Sequence, residues 1–237
     1  MKLYILPTPI GNLEDITLRT LRILKEVNVV FCEDTRTTKK MLKHYDIEKK
    51  CYAYHINNEH KRVAEYVQWV KNGQSAALVS DAGTPGVSDP GYLFIKECLA
   101  AGVDIECLPG ATALIPAIVA SGLPCDKFYF HGFLPHKKGK ETILNMLNER
   151  KETVVFYESP HRLVKTLTMM HHCLPLERKI CVSREISKIY EEHFRGNVSE
   201  ALAYFSSKEV KGEIVITVAG SDSTMKTGGQ RLKSINF

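Results

Sequence analysis

Short apolar runs alternate with longer amphipathic stretches along the first half of the chain, and this alternation limits the possible folds more than any other feature. Leu3-Tyr4-Ile5-Leu6 stops at Pro7, after which Ile16, Leu18, Leu21, Ile23, Leu24 and Val27 recur at helical spacing. Val29-Val30-Phe31-Cys32 leads to Asp34, a residue type that caps helix N-termini, and a helix is predicted from there to residue 44. Further strands are predicted at 51–54, 76–80 and 103–108, with helices over 58–72, 92–101 and 111–120. Parallel neighbours need a long crossover connection and a helix supplies it, so the pattern predicts an α/β chain with a largely parallel sheet.

The rhythm pauses at Ser121-Gly122-Leu123-Pro124, where glycine followed by proline ends a helix and lets the chain change direction. A boundary placed there gives an N-terminal α/β domain of residues 1–121 and a C-terminal α/β domain of residues 122–220, with 221–237 read as a polar, disordered tail. In the second half, strands are expected at 128–130, 154–157, 180–182, 189–194 and 214–218. Helices are expected up to residue 149, over 162–171 and over 199–205.

Composition excludes several classes. With 237 residues, 44% hydrophobic and 25% charged, the chain is neither disordered nor fibrous. A net charge of +5 permits an anionic partner but falls short of the basic excess of a chain that lives on nucleic acid. No apolar stretch is long enough to cross a bilayer, and the first run breaks at Pro7 before it could serve as a signal peptide, so a cytoplasmic protein is expected. Seven scattered cysteines without a Cys-x-x-Cys pair argue against a disulfide framework and structural zinc; Cys98, Cys107 and Cys181 lie in apolar stretches and are expected to be buried. His171-His172 has no ligand cluster to join, so no metal site is predicted. Gly-x-Gly-x-x-Gly is missing after the first strand. The run from Lys137 to Lys140 fails as a P-loop, because Gly132 and Gly139 are wrongly spaced and Glu141 cannot supply a hydroxyl to magnesium.

The segment Leu78-Val79-Ser80-Asp81-Ala82-Gly83-Thr84-Pro85-Gly86-Val87-Ser88-Asp89-Pro90-Gly91 is the most informative. It follows a predicted parallel strand, and ligands of open α/β sheets bind outside the carboxyl ends of the strands. A plain connector, with Asp89 capping the next helix, would need fewer glycines and prolines, so the segment is read as a binding loop.

Six segments then occur in order: Pro7 to Thr17, Glu33-Asp34-Thr35-Arg36, Ser80 to Gly91, Leu108-Pro109-Gly110-Ala111-Thr112-Ala113, Phe156-Tyr157-Glu158-Ser159-Pro160-His161-Arg162 and Ser183-Arg184-Glu185-Ile186-Ser187-Lys188. Together they closely resemble the ribosomal RNA small subunit methyltransferase I family, within the tetrapyrrole methylase superfamily, from residue 3 to about 220. The resemblance implies a largely parallel N-terminal sheet and a mixed C-terminal sheet with the cofactor cleft between them, and a homodimer. It implies 2′-O-methylation, by S-adenosylmethionine, of a cytidine in the decoding region of 16S ribosomal RNA. It assigns cofactor contacts to Ile10, to the glycine loop through Ser80, Asp81, Gly83, Thr84 and Val87, to Thr112 and Ala113, and to Tyr157 from the second domain. Two other readings share the fold. Methylases of small tetrapyrroles usually carry Gly-x-Pro-x-x-Tyr-Gly, whereas Gly83-Thr84-Pro85-Gly86-Val87 here runs into Ser88-Asp89; a non-catalytic ribosome-binding factor would keep the pocket as scaffold.

Methyl transfer to a ribose hydroxyl calls for alignment and a proton acceptor. Glu158 and Glu185, each at the end of a predicted strand, are the expected carboxylates, with Lys188 beside the second; each carboxylate could instead pair with Arg162 or Arg184. His161 fits a turn or cap as well as a base. Arg162 and Arg184 are read as phosphate or ribose contacts. Two basic clusters, Arg36, Lys39 and Lys40 on one helix and His136, Lys137, Lys138 and Lys140 in a loop, are expected to meet RNA, with Tyr52 and Tyr54 available for stacking.

Overall fold

The structure is a computed structural model and describes residues 2–136 and 138–221. The expectations for Lys137 and for the tail beyond Ser221 lie outside the described residues. The chain divides into two compact units, Met1–Ala113 and Leu114–Phe237.

The first unit runs β1 (Lys2–Ile5), α1 (Leu18–Glu26), β2 (Val29–Cys32), α2 (Thr35–His44), β3 (Lys50–Ala53), α3 (Glu59–Lys71), β4 (Ala76–Val79), α4 (Tyr92–Ala100) and β5 (Asp104–Cys107). All five strands are parallel, in the order β3-β2-β4-β1-β5. Successive side chains of a strand face opposite ways, so both faces must be covered. Phe31 joins Leu3, Leu78, Tyr66 and Phe94 on the side of α3 and α4, while Val30 and Cys32 join Leu24, Leu42 and Val79 on the side of α1 and α2. Phe31 stacks on Tyr66 with ring centroids 4.4 Å apart. Thr17 and Asp34 cap α1 and α2 through their side chains, as their residue types predict. The N-cap of α4 is Gly91, not Asp89.

The second unit comprises α5 (Leu114–Ser121), β6 (Phe128–Phe133), α6 (Lys140–Asn148), β7 (Thr153–Glu158), α7 (Leu163–Cys173), β8 (Lys179–Arg184), β9 (Glu192–Asn197), α8 (Val198–Ser206) and β10 (Ile214–Val218). Its sheet is mixed, in the order β6-β7-β10-β8-β9; β6 and β7 are parallel, and β10 runs antiparallel to both β7 and β8. Phe156, Val182, Ile214 and Ile216 face Leu144, Leu163, Leu167, Met170, Ala201 and Phe205 from α6, α7 and α8.

Three expectations shift. Residues 111–113 are loop rather than the first turn of a helix, which lengthens the connection after β5. The strand expected at 189–194 begins at Glu192, because Glu185 and Ser187 adopt positive φ (53° and 65°) and turn the chain, leaving Ile189 and Tyr190 exposed in the connection. Cys98 and Cys181 are buried; Cys107 ends the edge strand β5 and is exposed. Among the described residues, no helix is long and apolar enough to cross a membrane.

Candidate functional site

In the first unit, three loops leave the carboxyl ends of the adjacent strands β4, β1 and β5. They are tied to one another by backbone and small side chains. Thr8 and Gly83 exchange both backbone hydrogen bonds (2.9 and 3.0 Å). The Thr8 hydroxyl donates to the Ser80 carbonyl at 3.1 Å, and the buried Ser80 hydroxyl donates to the Gly83 carbonyl at 3.1 Å. The Thr84 hydroxyl donates to the Ala111 carbonyl at 2.9 Å and so joins the loop after β4 to the loop after β5.

Glycine is required at two of these positions. Gly83 has φ +85°, and a Cβ there would lie 3.3 Å from Ile10 Cγ2 and 3.5 Å from the Ala111 carbonyl oxygen. A Cβ on Gly110 would come within 2.7 Å of Pro7 Cβ. Ile10, Ser80, Gly83, Thr84 and Thr112 are thereby gathered at one sheet edge; Val87 and Ala113 lie half-buried in the same loops.

Carboxylates rim this edge. Asp81 is exposed and accepts the Asp34 amide at 3.1 Å, so the loops after β2 and β4 are cross-linked. Burial, and after it the Asp81 charge, push the Glu33 carboxyl above its ordinary value. Burial likewise raises Asp81, with the Asp34 charge adding to it. Arg36 donates to both carboxylate oxygens of Asp34 and holds its carboxyl at about 2. Sequence reading singled out Arg36 in this segment and missed Glu33; nothing in its residue type marks it, since the Asp81 charge is brought to bear on it only once β2 and β4 pair.

In the second unit Glu158 is corrected as a candidate base, and Lys140 as a phosphate contact. Lys140 opens α6 and points inward, 3.2 Å from Glu158 Oε2 and 2.8 Å from the Thr166 hydroxyl, and it is 3% exposed. Arg162 Nη2 holds the other oxygen, Oε1, at 2.8 Å, and the Ser159 amide donates to that same oxygen. A carboxylate enclosed by two cations, a hydroxyl and an amide has no room for a substrate proton. Arg162 is committed to this network, also donating to the Leu134 carbonyl. Tyr157 is half-buried, its ring edge-on to Phe130 and Phe133. Tyr54, expected to be free for stacking, is buried in the first core because its side chain follows the edge strand inward.

Glu185 and Lys188 form a pair at 2.7 Å, and Lys188 also reaches Glu213 at 3.0 Å. Burial pushes the Glu185 carboxyl up, but Lys188 and the Glu213 amide outweigh it and leave it below its ordinary value. Burial lowers the Lys188 ammonium and its two carboxylates more than restore it, so it stays protonated at neutral pH. Arg184 is held by Glu192 at 3.0 Å. Of the basic residues expected to meet RNA, Arg36, Lys39, Lys40 and Lys138 are exposed.

S-adenosylmethionine is a compact cation carrying many hydrogen-bonding groups. The loops of the first unit fit it: backbone at a sheet edge kept approachable by glycines, short side chains around it, and Asp81 as a carboxylate at the rim. The sequence profile of the family described as Tetrapyrrole (Corrin/Porphyrin) Methylases matches residues 2–202, and the chain belongs to this family. It is an S-adenosylmethionine-dependent methyltransferase. Within the family it stands in the group of the ribosomal RNA small subunit methyltransferases I. It is 42% identical to the protein of that name from Thermotoga maritima over 221 residues, 93% of this chain and 99% of the relative. It is 44% identical to that of Bacillus subtilis over 222 residues, 93% of this chain and 76% of the relative. The methyltransferase CobJ superimposes with a TM-score of 0.69 at 17% identity, covering 93% of both chains. Uroporphyrin-III C-methyltransferase from Thermus thermophilus, complexed with S-adenyl homocysteine, gives 0.65 at 17%, covering 95% of this chain and all of that one. These two likenesses concern the fold.

Proposed function

We propose that the chain methylates the 2′-hydroxyl of a cytidine in the decoding region of 16S ribosomal RNA, acting in the cytoplasm as a homodimer on the small ribosomal subunit. What supports this above all is the identity of 42–44% to two proteins named ribosomal RNA small subunit methyltransferase I, sustained over 93% of the chain. S-adenosylmethionine supplies a methyl carbon made electrophilic by its sulfonium. The loops built on Thr8, Gly83, Thr84 and Ala111 hold the cofactor through backbone contacts and fix its direction, and orientation accounts for much of the rate in such a displacement. Asp81 attracts a cationic cofactor more than its neutral thioether product, which favours release after transfer. Among the carboxylates at this edge Glu33, raised above its ordinary value by burial and then by the Asp81 charge, is suited to take the hydroxyl proton, a role worth about 10²–10⁴ in rate.

The test is direct. Protein, cofactor labelled in the methyl group and small subunits from cells lacking the protein are incubated, and the 2′-O-methyl groups are mapped. Label at a cytidine ribose of the decoding region is expected. Label on a tetrapyrrole with none on RNA would move the chain to small-molecule chemistry, and no transfer at all would leave a binding factor.

A further inference from the structure

The glycine loop occupies the carboxyl edge of the first sheet, and the amino edge carries two open cavities that the methyl-transfer site does not use. One, of about 620 Å³, is lined by Asn28, Lys50, Tyr52, Trp69, Asn72 and Gln74, among others. The second, of about 670 Å³, lies beside α2 under Lys39 and Lys43 and shares Glu48 and Lys49 with the first. Across both, four lysines stand against two carboxylates, Asp46 and Glu48. Lys49 is fixed in place by donating to the carbonyls of Lys25 and Val27, both at 2.7 Å, where it closes the end of α1. Tyr52 and Trp69 meet edge to face with centroids 4.8 Å apart, at the rim of the aromatic core formed with Phe31 and Tyr66.

Core packing explains why these two rings touch their inner neighbours. It does not explain why both are left half-exposed at a groove whose other walls are three amides and two lysines beside Val29 and Glu48. Rings that offer a face, amides that can read a base edge and cations that can hold flanking phosphates together suit an unstacked base on a single strand. The strands between the two edges have four residues each, about 10 Å of rise, so a few nucleotides of one strand reach from this groove to the glycine-loop edge.

We propose that the two cavities form a track for the single-stranded RNA flanking the methylated nucleotide: the Tyr52–Trp69 groove receives one unstacked base, and Lys39, Lys43 and Lys50 hold the phosphates beside it. The proposal rests on the RNA reading given above.

Trp69 is the only tryptophan of the chain, so its fluorescence reports on the groove. The whole protein is titrated with a single-stranded RNA of about ten nucleotides and mixed sequence, within the site sizes usual for such tracks. Saturable quenching is expected, with the affinity falling against log salt by about 0.7 per phosphate held. Lys43→Glu with Lys50→Glu, both at exposed positions, is expected to weaken RNA binding by about tenfold or more and flatten that slope, with affinity for S-adenosylhomocysteine unchanged. The track is overturned if the single strand leaves Trp69 unquenched, if the double variant binds like the parent, or if a blunt duplex or an acidic peptide quenches equally well. Methyl transfer to small subunits separates the two ideas. Transfer with the same KM in parent and variant removes the track and keeps the reaction; quenching by RNA with no transfer to any RNA removes the reaction and keeps the track.

Discussion

Lys140 Nζ stands 3.2 Å from Glu158 Oε2 with both side chains shut off from water, so a charge that the sequence places in a basic loop belongs to the interior of the second unit. Removing one partner of a buried pair costs about 3–5 kcal/mol, and because Arg162 remains on Glu158 the loss for Lys140→Met is expected near the lower figure. Thr166→Val removes a neutral donor from the same carboxylate and should cost about 1–2 kcal/mol. Urea unfolding of the two variants measures this, and equal midpoints for Lys140→Met and the parent would show that the pair carries no weight.

Gly83→Ala is expected to weaken binding of S-adenosylhomocysteine in calorimetry, because alanine at φ +85° is strained by about 1–2 kcal/mol and its methyl presses on Ile10. Gly102→Ala supplies the control. Its φ is +74° with nothing within 4 Å, so it should lose similar stability while cofactor affinity holds. A parallel loss of affinity in both variants would mean that the loop acts only through global stability.

Glu192 receives Arg184 at 3.0 Å, Lys208 at 2.6 Å and the Tyr204 hydroxyl. Burial pushes its carboxyl up, but Lys208, Tyr204 and Arg184 outweigh this and hold it at about 2, against an ordinary 4.5. The folded protein therefore binds this proton less readily than the unfolded chain. The stability Glu192 contributes is full above pH about 4.5 and is lost as pH falls toward 2. Glu192→Gln should cost on the order of 2 kcal/mol at neutral pH and flatten the acid limb over that window, as read from urea midpoints at a series of pH values.

Arg36, Lys39 and Lys138 are among the exposed cations expected to meet RNA phosphates. Replacing all three by alanine should reduce the salt dependence of small-subunit binding by about 0.7–0.9 for each phosphate no longer held, with stability changed by less than about 0.5 kcal/mol per position. An unchanged slope in filter binding across a salt series would make them a solvated face.

The alternation of runs in the first unit was legible because the inner strands β2 and β4 are enclosed on both faces and read as unbroken apolar stretches, Val29 to Cys32 and Ala76 to Val79. The glycine loop and the turn after β5 were legible for the opposite reason: a side chain at Gly83 would crowd Ile10 and one at Gly110 would clash with Pro7. Lys140 and Glu158 were misread because a lysine among Lys137, Lys138 and His136 looks solvated, and only the inward start of α6 brings it to the end of β7. Ile189 and Tyr190 were misread because apolarity suggests a strand, whereas the positive φ at Glu185 and Ser187 that puts them in a turn has no glycine to announce it.

β10 is the last strand of its sheet in sequence and the middle one in space, hydrogen-bonded to β7 on one side and β8 on the other. Until residues 214–218 have left the ribosome, the second unit holds only two separate strand pairs, β6 with β7 and β8 with β9, and its core cannot close. Every strand of the first unit is available once residue 107 has emerged. During synthesis at roughly 5–20 residues per second, the half bearing the glycine loop can thus be native while the other half still waits for its keystone, so truncations or stalls before Ile214 would release a folded first unit attached to an open, aggregation-prone remainder.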